Sequence, residues 1–258
     1  MIGWLQNLND DARRISLNQA SLNSGINSKA IEKDWWVTLV LRLLFTSKYA
    51  TYFAFKGGTS LSKGWGIIDR FSEDIDIALS SEAFGMPYKD KPSKTFVEQL
   101  RREGCLFTSN EIVTELRKQF EKLQIPVELY SVEVETIRIN MPDTDPQTIY
   151  VSYKSLFKPN PYLPERVKIE FSVRSQNDPS DNREMQTLLN NYNPTELLLR
   201  KSFYYMKNTI ERMRAKRELI ECLVITTTCI ELIRNIQTHY LTFHLLSISL
   251  NIVNFILD

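Results

Sequence analysis

Apolar residues recur every four positions between residues 28 and 45. Ile31, Trp35, Leu39 and Leu43 form one row, and Trp36, Val40 and Leu44 a second beside it. Side chains four apart share a helix face, so this spacing predicts a core helix over 28–45. Ser28 would cap it, and Glu32 and Asp34 suit the positive end of its dipole. Upstream, Ile2, Trp4, Leu5 and Leu8 mark a short amphipathic piece, followed by a polar stretch to Gly25. Downstream the period changes from four to two. Residues 52–55 are apolar and aromatic, as in a buried strand. Ile75 and Ile77 alternate with Asp74 and Asp76, which puts two carboxylates on one face and two isoleucines in a core. Residues 166–173 alternate again: Val167, Ile169, Phe171 and Val173 face one way, Lys168, Glu170 and Ser172 the other. That is the pattern of a half-buried strand.

Between these strands, 84–92 reads as a loop. Two helices are predicted over 93–103, stopped by Gly104, and 109–123, opened by the capping-box pair Thr108 and Glu111. Arg101, Arg102, Arg117, Lys118 and Lys122 sit among acids there and read as a solvated face. Residues 127–134 and 135–140 resemble strands, 141–146 a turn and 148–153 the return strand of a hairpin. Three prolines make 157–164 an irregular connection.

Composition narrows the class without choosing a function. A chain of 258 residues, 43% hydrophobic and 24% charged, can bury a sizeable core. A net charge of +1 gives no general attraction to nucleic acid, so any basic surface must be local. Cys105, Cys222 and Cys229 form no metal or disulfide pattern, and Asn7, Asp10 and Asp11 interrupt any signal-peptide core. These features lead us to expect a cytoplasmic protein.

The candidate chemistry lies where strand patterns meet glycines. Gly57 and Gly58 permit a turn that brings backbone close to a ligand. Thr59 and Ser60 then open a helix, whose end favours an anion. Asp74 and Asp76 beside such a turn are what a divalent cation and a nucleoside triphosphate (NTP) need. The run Lys56-Gly57-Gly58-Thr59-Ser60-Leu61-Ser62-Lys63, then Arg70-Phe71-Ser72-Glu73-Asp74-Ile75-Asp76, resembles the AbiEii/AbiGii-type toxins of the nucleotidyltransferase superfamily. Residues Glu32 to Val37 are similar to that family's first helix.

The resemblance implies an α+β fold, a short mixed sheet flanked by helices with a helical C-terminal part. It implies transfer of a nucleoside monophosphate from an NTP to an acceptor hydroxyl, of RNA or tRNA. Asp74, Asp76 and Glu170 would hold two Mg²⁺ ions. Gly57, Gly58, Thr59 and Ser60 would cradle phosphates, with Lys63, Arg70 and Lys168 as candidate cations. It further implies a cognate antitoxin and a role in phage defence by abortive infection; from the polar residues inside the tail's apolar stretch we expect no membrane partner. Two alternatives stand beside it: a remnant that only binds NTP or antitoxin, and an antibiotic-modifying nucleotidyltransferase.

The tail departs from the pattern, so we divide the chain into a nucleotidyltransferase-like domain, 1–194, and a C-terminal region, 195–258. From residue 195 onward there is neither glycine nor proline. Residues 197–206 and 218–236 have helical patterning, and 240–257 is apolar with Asn251 and Asn254 inside, polar groups costly in a membrane. Cys222 and Cys229 share a helical face. Read from the third base of the Glu221 codon, the codons allowed for 221–231 permit Met-Ser-Arg-His-Tyr-Tyr-Asp-Leu-Tyr-Arg. That sequence resembles the family's final motif. The same shift from Glu196 permits a segment resembling its third, and two motifs in one frame point to a frameshift near Pro194.

Overall fold

The computed structural model describes residues 1–68, 71–136, 147–173, 180–193 and the backbone of 214–216. The chain opens with helices α1 (Ile2–Asn7), α2 (Asp10–Ser24) and α3 (Ser28–Phe45). Helix α3 spans the predicted residues, but its cap is Asn27, whose Oδ1 accepts the Lys29 N–H at 2.9 Å. It is buried on almost every side, including Lys29, Glu32, Lys33 and Asp34. Trp35 lies 4.9 Å from Trp4, and Trp36 stacks on Tyr153 at 4.9 Å and 15°.

Helix α2 corrects the reading of 9–25 as a polar stretch. Its ends are well marked: Asn9 Oδ1 accepts the Ala12 N–H, Asp10 and Asp11 occupy the first turn, and Gly25 closes it at φ 74°. Only Leu17 and Ala20 give it a buried apolar stripe, too little for a periodic signal.

Strands β1 (Phe53–Lys56) and β2 (Ile75–Leu79) are antiparallel, and β2 runs parallel to β5 (Arg166–Ser172). Next to β5 lie β4 (Gln147–Tyr153) and then β3 (Tyr130–Val134), both antiparallel pairings. The sheet is therefore mixed, in the order β3-β4-β5-β2-β1. Beyond β1 it is extended by β7 (Arg214–Lys216), parallel to it, and β6 (Ser180–Asn182). Register puts Phe55, Ile77 and Phe171 in one row and Ile75, Ile169 and Ile149 in another, all buried. This apolar face packs under α3. The fold is α+β, a mixed sheet flanked by helices, as the sequence implied.

Gly104 does not stop a helix. Helix α5 (Lys94–Phe107) continues through a wide turn, Thr108–Ile112, into α6 (Val113–Lys122). The glycine answers to packing instead: a Cβ there would stand 2.5 Å from Val173 Cγ1. Thr108 is helical and fully buried, so no capping box forms. After Pro126, Val127–Leu129 form a 3₁₀ turn, and the first predicted hairpin strand starts only at Tyr130. Most of the expected second strand and the turn, 137–146, lie outside the described residues. So do both helical stretches of the tail, Cys222, Cys229 and the apolar segment 240–257. A last short helix, α7, covers Leu188–Tyr192. Among the described residues no helix is long and apolar enough to cross a membrane.

Candidate active site

The polar face of the sheet carries a row of four side chains. Lys56 on β1 pairs in register with Asp76 on β2, Asp76 with Glu170 on β5, and Glu170 with Thr148 on β4. Strand alternation creates this row, since Phe55, Ile77 and Phe171 occupy the other face. Lys56 and Thr148 were missed in the sequence. The alternation of Phe53 and Phe55 with Ala54 and Lys56 carries the signal for the lysine.

Asp76 lies against the double-glycine turn. Gly57 has φ 76°, and a Cβ on it would come 2.0 Å from Asp76 Oδ2. A side chain is excluded there on both conformational and steric grounds. The turn leads into α4 (Gly57–Thr59) and a wider helical turn, Ser60–Gly64. Thr59 is buried, with its Oγ1 2.7 Å from Ser72 Oγ and 2.5 Å from the Asp74 carbonyl oxygen. It thus ties the turn to the approach of β2. Ser60 donates its hydroxyl to the Phe55 carbonyl at 3.2 Å.

Asp76 and Glu170 are neighbours in register, and the Asp76 carboxyl is pushed up to about 6. Burial is the main cause and the negative charge of Glu170 the second, with Lys56 opposing them. Asp74, just before β2, is also raised by burial, against the pull of Lys168. Lys168 Nζ stands 2.7 Å from Glu170 Oε1, and this bond raises the lysine's own pKa. The structure thus brings Asp76, Glu170 and Lys168 together, with Asp74 at the edge.

Other predicted cations sit elsewhere. Lys63 turns away from the row and is nearly buried, donating to Asp34 Oδ1 and the Gln186 carbonyl, both at 2.6 Å. Arg70 lies outside the described residues. Lys63, Asp34, Ser62, Phe71, Ser72 and Gln186 line part of a cavity of about 540 Å³ on that side of the turn.

Among the described residues no three acidic, histidine or cysteine side chains stand together as an ion-holding group. Mg²⁺ is commonly held by one or two carboxylates, completed by substrate phosphates and water. The Asp76–Glu170 pair fits that pattern, as two half-buried carboxylates whose mutual repulsion a cation would relieve.

A mixed sheet presenting paired carboxylates beside a helix-opening Gly-Gly turn defines a nucleotidyltransferase-like protein. Residues 39–206 match the family described as nucleotidyl transferase AbiEii toxin, type IV TA system. This match covers more than half of the chain and contains every predicted site residue. The chain belongs to that family, of nucleotidyl transferase toxins from type IV toxin–antitoxin systems. No curated protein matches the chain.

Proposed function

We propose that this chain is a Mg²⁺-dependent toxin that transfers a nucleoside monophosphate from an NTP to a hydroxyl of RNA, with tRNA as the leading acceptor. One observation carries the reading: Asp76 and Glu170 meet in register on parallel strands, directly against the Gly57 backbone. Asp76 and Glu170, with Asp74 at the strand's mouth, would hold the metal. When bound, it supplies charge neutralisation at the phosphates and a lowered pKa for the attacking hydroxyl. The backbone at Gly57, Gly58, Thr59 and Ser60 lets a triphosphate approach the turn closely. Lys168 and Lys56 flank the carboxylates, so positive charge lies within reach of a phosphate on either side. The cavity lined by Lys63 and Ser72 offers room beside the turn, and Arg70 adjoins it in sequence. A cognate antitoxin partner follows from the family, and we infer that the toxin serves phage defence in the cytoplasm.

Incubation with each α-³²P-NTP, Mg²⁺, and either total RNA or aminoglycosides tests the acceptor. Label in RNA supports the proposal, and label on the aminoglycoside moves the protein to the antibiotic-modifying class. The out-of-frame motifs in the tail favour a second reading, a remnant that binds NTP or antitoxin without transfer. Sequencing codons 185–200 decides that point: a homopolymer slip that restores both motifs supports it, and an uninterrupted frame ends it.

A further inference from the structure

Two neighbouring residues of α3 each reach a different half of the site. Asp34 Oδ1 accepts from Lys63 Nζ at 2.6 Å, and its Oδ2 accepts the Leu188 N–H at 2.7 Å. Lys63 completes the node by donating to the Gln186 carbonyl. One carboxylate therefore fastens the helix after the glycine turn to the segment leading into α7. Lys33 Nζ, one residue earlier, stands 2.6 Å from Glu73 Oε2, next to Asp74. The side chains of Lys33, Asp34 and Lys63 are 3%, 7% and 9% exposed. Charges this deep in the protein hold one arrangement, because separating them leaves an unpaired charge away from water. Consecutive helix positions point about 100° apart, so the two arms diverge toward different partners.

The rest of α3's polar face shows what is particular about these arms. Lys29 pairs with Glu165, and Glu32 accepts from Ser155 Oγ and the Leu156 N–H. Those contacts fasten the 155–165 connection and touch no member of the carboxylate row or the turn. Among the described residues, Lys33 and Asp34 are the members of this face whose pairings reach the turn or the approach to β2.

We propose that Asp34 and Lys33 are positioning residues: Asp34 fixes the glycine turn through Lys63, and Lys33 fixes Asp74 through Glu73. Neither touches the row itself. Their role in transfer rests on the function proposed above, but their hold on the two segments can be measured without it.

The test is amide hydrogen exchange on the full chain, comparing wild type, Asp34→Asn, Lys33→Met and Lys29→Met. Asp34→Asn should speed exchange at residues 57–64 and 186–188, and Lys33→Met at residues 72–76, each by tenfold or more. Lys29→Met, which breaks a pair on the same helix buried much as Lys33–Glu73 is, should leave all three segments protected. A double replacement, Asp34→Leu with Lys63→Met, guards against simple unfolding because it leaves no unpaired charge. It should keep the overall melt while still loosening 57–64.

Binding of each of the four NTPs, followed by tryptophan fluorescence, forms the second arm. Asp34→Asn loosens the turn that would cradle the phosphates, so it should weaken NTP binding by about tenfold or more. Unchanged exchange at 57–64 and 72–76, or protection lost evenly over the whole chain, overturns the proposal. If wild type binds no NTP, the proposed function falls while the exchange result still decides the positioning role.

Discussion

Gly57 bears two demands at once, a left-handed φ and space for Asp76. Gly57→Ala should cost about 1–3 kcal/mol from backbone strain alone and displace the carboxylate as well. A lowered thermal midpoint with transfer abolished is the expected outcome, and a variant as stable and active as wild type would refute it. Glu32 offers a test by pH. Burial raises its pKa, outweighing the bonds from Ser155 and Leu156 and the pull of Lys29. A carboxyl with a raised folded pKa binds its proton more tightly when folded, so stability falls as pH climbs through and above the ordinary carboxylate range. Glu32→Gln can keep both hydrogen bonds and removes the buried charge. It should stabilise the chain at neutral pH and flatten the fall in stability as pH rises through and above the ordinary carboxylate range. Melting curves across that range check it, and a variant less stable than wild type at pH 7 would show that Lys29 and Arg13 hold the charge favourably.

The elements were legible where one period dominates. Helix α3 and strand β5 carry long apolar rows, and both fall where the pattern put them. Helix α2 was not legible, because a narrow stripe of Leu17 and Ala20 buries enough to dock it and too little to announce it. Its capping signals were present in Asn9, Asp10 and Gly25. Gly104 misled for the opposite reason: its meaning lies in a contact with Val173, distant in sequence, and no local rule contains that contact. Gly104→Ala should push α5 off Val173 and cost about 1–3 kcal/mol, the range for overpacking a core. Pairing it with Val173→Ala should recover most of the loss in a chemical melt. Equal destabilisation with and without Val173→Ala would mean that the glycine is kept for another reason.

Across the whole molecule, the site was legible in kind and only partly in membership. The order Gly-Gly, Asp-x-Asp, Lys-x-Glu named strands that meet, because alternation fixes which residues share a face. Lys56 joins the row through its neighbour across β1 and β2, and Lys63 pairs with Asp34 outside the row. Both outcomes depend on pairings between distant segments, which no window of sequence holds. On the function proposed above, nucleotidyl transfer depends on the Asp76–Glu170 pair. Incorporation of α-³²P-NTP into RNA should therefore be compared for wild type, Asp76→Asn and a frame-restored chain, with melting curves alongside. Asp76→Asn relieves the repulsion with Glu170, so it should melt no lower than wild type and yet lose transfer by about 100-fold or more. Transfer at the wild-type rate by a well-folded Asp76→Asn variant would contradict the account.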